Sequence, residues 1–295
     1  MIVTGSNTGV GKEIAQVLYS KNARVYMMGR SEERMKNAIQ SIKKAVPQSA
    51  GDLTYIHLDL ADLETIKPSV EKFLAKEQKL DVLFNNAGVA FPEKGSRTKQ
   101  GYELQLGVNC IGVFALTKLL TPTLVSTAKT SQPNSVRVVW VSSSAAQAAN
   151  AKGFMNQVYN NHKGSLFDQY STSKLGNFLQ STEFAGRHKK DGIVSTSLNP
   201  GNLDSDLWRT QGPITTWFLK TMLLYPSIYG AYTCLFSGFS PQVSLEKSGS
   251  HIAPWGRLMT TPNAMVAASK NKSEGGAGFG REFWDWSDEQ VKKYI

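Results

Sequence analysis

Cysteine is scarce in this chain, which carries two cysteines in 295 residues. Cys110 and Cys234 lie far apart and lack the spacing of metal ligands, which argues against a disulfide-rich scaffold and predicts reduced thiols, no metal site and a cytoplasmic location. No secretory signal is visible. The chain starts inside a short apparent strand, which leaves open whether its N-terminus is complete.

Long apolar runs and concentrated charge are missing as well. The longest uncharged stretch, 221–245, contains Pro226, Gly230, Gly238 and several hydroxyl residues, and is too polar for a transmembrane span. Lys and Arg give a net charge of +10, but they are scattered and form no basic stripe interleaved with aromatic residues. We therefore expect no transmembrane span and no nucleic-acid binding. The basic balance favours attraction for an anionic cofactor.

What the chain does contain is a regular alternation of short apolar runs and helical patterns. With 41% hydrophobic and 19% charged residues, it is long enough for one large domain with a full core. The apolar runs recur at intervals of roughly thirty residues, which indicates a parallel, doubly wound α/β sheet with ligands beyond the carboxyl ends of its strands. The strand candidates are 2–3, 23–28, 53–58, 81–84, 136–141 and 250–253.

The first dozen residues read as strand, glycine turn and helix. Thr4-Gly5 is followed by Gly9 and Gly11, and a helical pattern covers 13–20. A helix N-terminus presents N–H groups and partial positive charge, and glycines let a diphosphate approach the backbone. The alternative is an ordinary tight turn.

The tip of the second strand carries Gly29-Arg30-Ser31. A carboxylate at this place bonds the ribose 2′-hydroxyl of NAD, whereas an arginine accommodates the 2′-phosphate of NADP. Here glycine replaces the acid and Arg30 follows, which favours NADP(H). The alternative is a solvated arginine that opens the helix 31–46.

Two more strand tips carry groups suited to a ligand. Asp59-Leu60 follows the third strand, where the acid either accepts from an adenine amino group or, like Asp62, caps the next helix. The fourth strand ends in two amides, a small residue and a glycine, the sequence Asn85-Asn86-Ala87-Gly88.

The strongest chemical signal is a serine, a tyrosine and a lysine. Ser143 ends an apolar strand, and Tyr170 and Lys174 stand one helical turn apart on the same helix face. A nearby ammonium lowers a phenol pKa from its usual value near 10, which suits the pair to proton exchange with a substrate oxygen near neutral pH. A serine hydroxyl holds that oxygen in place. Without the other motifs, a tyrosine and a lysine at this spacing would be interpreted as two residues on the surface of a helix.

Together these motifs resemble those of the short-chain dehydrogenase/reductase family, in the expected order over nearly the whole chain. The resemblance implies a single Rossmann-like NAD(P)-binding domain over 1–295, with a mostly parallel seven-stranded sheet and helices on both faces. The implied catalytic set is Asn109 (which holds a water in a proton relay), Ser143, Tyr170 and Lys174. The implied cofactor contacts are Gly5, Asn7, Thr8, Gly9, Val10, Gly11, Arg30, Ser31, Asp59, Leu60, Asn86, Ala87, Gly88, Tyr170, Lys174, Pro200, Gly201, Leu203 and Ser205.

Within the family, Gly29-Arg30, the long gap between Ser143 and Tyr170, and the 251–257 stretch look most like the retinol-dehydrogenase and WW-domain-oxidoreductase-like branch, especially its fungal members. An aromatic-rich segment at about 203–240 is expected to form a substrate lid, or in its second half to be plain helix packing. A tail covers about 255–295.

Phe91, Pro92 and the insert 147–161 are expected to shape the pocket. The resemblance also implies a possible homodimer through the helices containing Asn109 and Tyr170.

The sequence therefore predicts NADP(H)-dependent hydride transfer between a nicotinamide and the carbonyl or alcohol of an apolar small molecule. The alternative from another class is a catalytically idle NADP(H)-binding regulatory protein on the same fold.

Overall fold

A computed structural model describes residues 1–161, 163–204 and 224–295. The described residues form an α/β fold around one sheet, in the strand order β3-β2-β1-β4-β5-β6-β7-β8. All neighbouring pairs are parallel except β7 and β8. The strands are β1 Ile2–Thr4, β2 Arg24–Gly29, β3 Asp52–His57, β4 Val82–Asn85, β5 Arg137–Val141, β6 Val194–Leu198, β7 His251–Ala253 and β8 Arg257–Leu258.

Helices cover both faces of the sheet. They are α1 Gly9–Ser20, α2 Glu32–Ala45, α3 Ile66–Leu74, α4 Leu104–Thr130, α5 Phe154–Tyr159, α6 Leu166–His188, α7 Ser227–Phe239, α8 Asn263–Ser269 and α9 Phe279–Val291. One face packs against α1, α2 and α7, and the other against α3, α4 and α6. Within α4, the segment Gly107–Gly112 is a π-helix, a form that is frequent at functional sites.

The central strands are buried on both faces, which explains why they read as continuous apolar runs. In β5, Val138 and Trp140 point to the core under α4 and α6, while Val139 and Val141 point to the core under α1 and α7. All five residues of β5 are buried. This double burial fixes the register of the strand and so places its carboxyl end.

The sheet has one strand more than the seven predicted. After β7 the chain reverses, and Arg257 pairs with Ala253 in an antiparallel ladder. The reversal uses positive φ at two successive residues, 68° at Trp255 and 71° at Gly256. A tryptophan rarely adopts this conformation, so the residue pattern gave little indication of the turn.

One helix of the described chain, α4, is long and apolar enough to cross a membrane, with a mean hydropathy of 1.5 over its best window. That window is 67% buried inside the fold. In this fold α4 is therefore a core helix, and such a helix can have the same length and apolar composition as a membrane span.

The contact between α4 and the loop after β3 leaves no space for a side chain at Gly112. A Cβ there would overlap the main-chain oxygen of Leu60 and lie 2.9 Å from its Cβ. We expect Gly112→Ala to lower the free energy of unfolding by about 1–3 kcal/mol, measured by denaturant titration. Gly186→Ala is the control, because a Cβ at Gly186 in α6 meets nothing within 4 Å. It should raise stability by up to about 1 kcal/mol, and equal effects of the two changes would contradict the packing argument.

Candidate active site

A cavity of about 1090 Å³ opens at the carboxyl ends of the strands. It extends from the glycine turn after β1 to the end of β5 and the first turns of α6. Ser143 borders it, Ser205 lies outside the described residues, and Gly11 and Asn109 stand behind its wall. The other residues predicted to bind a cofactor all line the cavity: Gly5, Asn7, Thr8, Gly9, Val10, Arg30, Ser31, Asp59, Leu60, Asn86, Ala87, Gly88, Tyr170, Lys174, Pro200, Gly201 and Leu203.

The glycine turn brings the start of α1 to the cavity. Gly5 and Gly9 have φ values of 64° and 54°, in the region that favours glycine. A Cβ on Gly5 would also lie 2.9 Å from the Cα of Ala87. Thr8 is extended, and within the described chain its side chain makes no capping bond to α1. The first N–H groups of the helix therefore suit a diphosphate, as predicted.

Gly11 does not line the cavity, but it lies against a side chain that holds the turn in place. A Cβ there would lie 2.5 Å from Nδ2 of Asn86. That amide donates to the main-chain oxygen of Thr4 at 2.9 Å and so ties the turn to the end of β4. Gly11 supports the site by leaving room for this bond.

Two arginines lie next to the end of β2, one in the turn that follows it and one in the first turn of α2. Arg30 and Arg34 both line the cavity. Nε of Arg30 lies 4.0 Å from Oδ1 of Asp59 and 57% of the arginine side chain is exposed, so this ion pair is weak and permits the guanidinium to turn toward an anion. The sequence reading missed Arg34, although its position four residues after Arg30 was a usable signal.

Neighbouring polar residues at this end have structural roles. The hydroxyl of Ser31 accepts from the N–H of Arg34 at 3.3 Å and caps α2. Asp62 accepts from the N–H of Glu64 at 3.1 Å, which makes Asp62 the cap of the next helical turn and leaves Asp59 at the cavity.

At the other end, Tyr170, Ser143 and Lys174 come together. The Tyr170 hydroxyl is hydrogen-bonded to Ser143. Nζ of Lys174 lies 5.7 Å from the centre of the tyrosine ring and donates to the main-chain oxygen of Val141 at 2.9 Å. All three line the same cavity, so a ligand oxygen placed there can contact the tyrosine and the serine together.

Burial dominates the acid–base properties of this group. It raises the pKa of Tyr170, while the hydrogen bond to Ser143 acts in the opposite direction. It also lowers the pKa of Lys174 to about 8. The net pKa of Tyr170 is therefore raised, contrary to the lowered pKa expected from the sequence, because the loss of hydration is the largest effect. The phenol is protonated at neutral pH and is poised as a proton donor.

Asn109 stands directly behind the site. Its Oδ1 accepts from the N–H of Val89 at 2.8 Å, and its Nδ2 donates to the main-chain oxygen of Val89 at 2.9 Å. Nδ2 also donates to Oγ of Ser173 at 2.9 Å. The amide of this buried residue therefore joins the loop after β4 to α6, and these bonds compensate for the burial of a polar side chain in an apolar helix.

The wall beside Tyr170 is apolar. The ring of Phe91 lies 5.3 Å from that of Tyr170, and Phe91 has a positive φ of 49°. The N–H of Phe91 donates to Oε1 of buried Gln105 at 3.1 Å, which fixes the loop. The further apolar residues that line the cavity here are Pro92, Leu104, Val108, Ala145, Ala148 and Phe167.

Of the segments expected to shape and cover the pocket, the described residues include the insert and the two ends of the lid segment. Of the described residues in 147–161, Ala148 lines the cavity, whereas Phe154 is buried against Phe283 of α9. Residues 205–223 lie outside the described part. The second half of that segment forms α7, where a Cβ on Gly230 would lie 2.9 Å from Val10. Helix packing, the alternative given for this half, is what the structure contains.

Helix α9 covers α4 and α6 on the face proposed for a homodimer. The ring of Trp284 lies 4.7 Å from that of Phe114 in α4, and the guanidinium of Arg187 in α6 lies 5.0 Å from the Trp284 ring. Lys118 pairs with Asp288. Helix α9 thus occupies part of the surface of α4 and α6, and a homodimer through these two helices stays a prediction.

Comparison with known proteins agrees with this geometry. The sequence model of the family described as short chain dehydrogenase matches residues 1–213. A short-chain dehydrogenase/reductase of the fungus Phomopsis amygdali is 50% identical over 299 residues, covering 100% of this chain and 90% of the relative.

Two solved structures share the fold. A putative uncharacterised protein of Mycobacterium paratuberculosis has a TM-score of 0.70 at 25% identity, covering 99% of this chain and 92% of its own. The RhlG protein of Pseudomonas aeruginosa, solved as an NADP active-site complex, has a TM-score of 0.68 at 22% identity, covering 86% and 94%.

Proposed function

The chain belongs to the short-chain dehydrogenase/reductase family of oxidoreductases, and on that premise we propose that it transfers hydride reversibly between NADP(H) and the carbonyl or alcohol of an apolar small molecule. The observation that carries the proposal is the hydrogen-bonded Ser143–Tyr170 pair, with Lys174 beside it, at one end of a cavity whose other end is the glycine turn. In the reducing direction a ketone or aldehyde, NADPH and one proton become an alcohol and NADP⁺.

The described residues fit a dinucleotide. The N–H groups at the uncapped start of α1 can donate to a diphosphate, which Gly5 and Gly9 allow to approach the backbone because they have no side chain. Arg30 and Arg34 can pair with a phosphate on the adenosine ribose. Lys174 lines the far end of the cavity and would bind the nicotinamide ribose. When bound, the reduced cofactor supplies the hydride, which is one proton with two electrons.

The chain itself supplies the proton and the orientation. Ser143 and Tyr170 donate hydrogen bonds to the substrate oxygen, and Tyr170 gives up its proton as negative charge develops there. The high pKa of the buried phenol keeps that proton available at neutral pH. The ammonium of Lys174 then stabilises the phenolate until solvent restores the proton.

The apolar wall supports the substrate class. Phe91, Pro92, Leu104 and Phe167 surround the approach to Tyr170 without a charged side chain among them. A substrate with an apolar body and one carbonyl would bury its surface there, whereas a charged body would lose hydration without a partner.

Turnover tests the proposal. Purified protein should consume NADPH with a panel of apolar ketones and aldehydes at neutral pH and form one alcohol for each NADPH. The control is the same panel in its carboxylated forms, for which we expect at least about tenfold lower kcat/KM. Binding of NADPH without consumption across the panel would contradict the proposal and favour the idle binding protein.

A further inference from the structure

Asn177 touches both the lysine of the site and the helix behind it. It lies three residues after Lys174 on α6 and is 4% exposed. Its Oδ1 is 3.4 Å from Nζ of Lys174, and its Nδ2 donates to the main-chain oxygen of Asn109 at 2.6 Å. One side-chain amide thus connects the ammonium to the π-helical turn of α4.

Both contacts require the same orientation of the Asn177 amide. The oxygen faces a group that has only donors, and the nitrogen faces a carbonyl that can only accept. The reversed amide would place its NH₂ against the ammonium and its oxygen against a carbonyl. The bonds to Lys174 and Asn109 therefore select this orientation together.

The amide oxygen of Asn177 also accepts one of the hydrogen bonds that the ammonium of Lys174 donates. An ammonium has three donors. Among the described residues, the main-chain oxygen of Val141 accepts one of them at 2.9 Å and Asn177 accepts a second at 3.4 Å. The third is left for the cavity that Lys174 lines.

We propose that Asn177 is a positioning residue of the active site, which holds the ammonium of Lys174 in place by tying it to the main chain of Asn109. Its effect on turnover rests on the proposed function. Its effect on the state of Lys174 does not, since that follows from the two hydrogen bonds alone.

Gln180 provides a matched control. It stands one turn further along α6, is fully buried, and donates to the main-chain oxygen of Cys110 at 3.3 Å. It thus makes the same kind of bond between the same two helices, away from Lys174. A structural role in joining α6 to α4 belongs to both amides, whereas contact with the ammonium belongs to Asn177.

The first test measures the pKa of Lys174 directly, by NMR on protein with isotope-labelled lysine and with Lys174→Arg for assignment. Within the described part of the chain, the titratable side chains that face this ammonium are Tyr170 and Cys110. A carboxylate at position 177 would favour the charged amine, so Asn177→Asp should raise the lysine pKa by at least about one unit. Asn177→Leu should lower it, and Gln180→Met should leave it unchanged. An unchanged lysine pKa in both Asn177 variants would overturn the proposal.

The second test compares kinetics. Asn177→Leu should lower kcat at least about tenfold with less than about threefold change in KM, whereas Gln180→Met should change kcat less than about twofold. Asn177→Asp should move the alkaline limb of the kcat–pH profile to higher pH. Equal losses of kcat in Asn177→Leu and Gln180→Met would overturn the positioning role. If the parent protein has no turnover, the proposed function fails, and the NMR titration still decides this inference.

Discussion

Tyr170→Phe should lower turnover by about 10²- to 10⁴-fold while leaving NADPH affinity within about twofold of the parent protein. The change removes one hydroxyl, the group that is hydrogen-bonded to Ser143 and that would protonate the substrate oxygen. The ring remains to pack beside Phe91, whose centre lies 5.3 Å away. The substitution leaves the proposed cofactor contacts at the glycine turn and at Arg30 unchanged. Steady-state NADPH consumption and calorimetric titration measure the two quantities.

Tyr159→Phe is the control for this prediction. Tyr159 is 57% exposed, and its hydroxyl donates to Glu282 at 2.8 Å, away from the cavity. It should keep parental kcat and NADPH affinity. Activity of Tyr170→Phe equal to that of Tyr159→Phe would remove the Tyr170 hydroxyl from the mechanism. A loss of cofactor affinity in Tyr170→Phe would instead indicate a disturbed site.

The second large effect concerns cofactor choice. We expect the parent protein to bind NADPH at least tenfold more tightly than NADH, a difference of about 1.4 kcal/mol or more. Gly29→Asp should reverse that preference, because a carboxylate there repels a 2′-phosphate and bonds a free ribose hydroxyl. The site can accept the side chain, since the close contact of a new Cβ is the flexible end of Met35 at 2.9 Å. Calorimetric titration of both cofactors measures the reversal.

Two further variants separate the effect of charge on cofactor preference from the effect of added side-chain volume. Gly29→Ala adds the Cβ alone and should keep the preference for NADPH. Arg30→Ala should weaken NADPH and leave NADH almost unchanged, with part of the affinity retained through Arg34. Equal affinity of the parent for both cofactors would contradict the assignment to NADP. An Arg30→Ala loss shared by NADPH and NADH would contradict the phosphate role of Arg30.

The parts of the site that could be predicted from the sequence are those that local chemistry fixes. Strands buried on both faces read as apolar runs, and each run ends in residues unsuited to continue it, such as Gly29 and Asn86. Parallel strands bring all those ends to one edge, so the order of the motifs was enough to gather them. The four-residue spacing of Tyr170 and Lys174 likewise fixed their common helix face.

The rest depends on contacts between distant segments. The sequence around Asn177 does not distinguish it from other polar helix residues, because its contact with Asn109 forms only when α4 packs against α6. The position of α9 follows from aromatic rings such as Trp284 meeting helices more than a hundred residues away, which no local pattern specifies. The pKa of Tyr170 was misjudged for the same reason, since the degree of its burial is a property of the whole fold.

The cover that α9 provides also sets an order of events during biosynthesis. Helices α4 and α6 and the strands they pack on are complete once residue 198 has been made, but α9 begins at residue 279. At the usual rate of translation this leaves roughly five to twenty seconds in which the outer faces of both helices lack their partner. The nascent chain therefore displays an apolar surface after its first six strands have formed, and during this interval it is most in need of a chaperone.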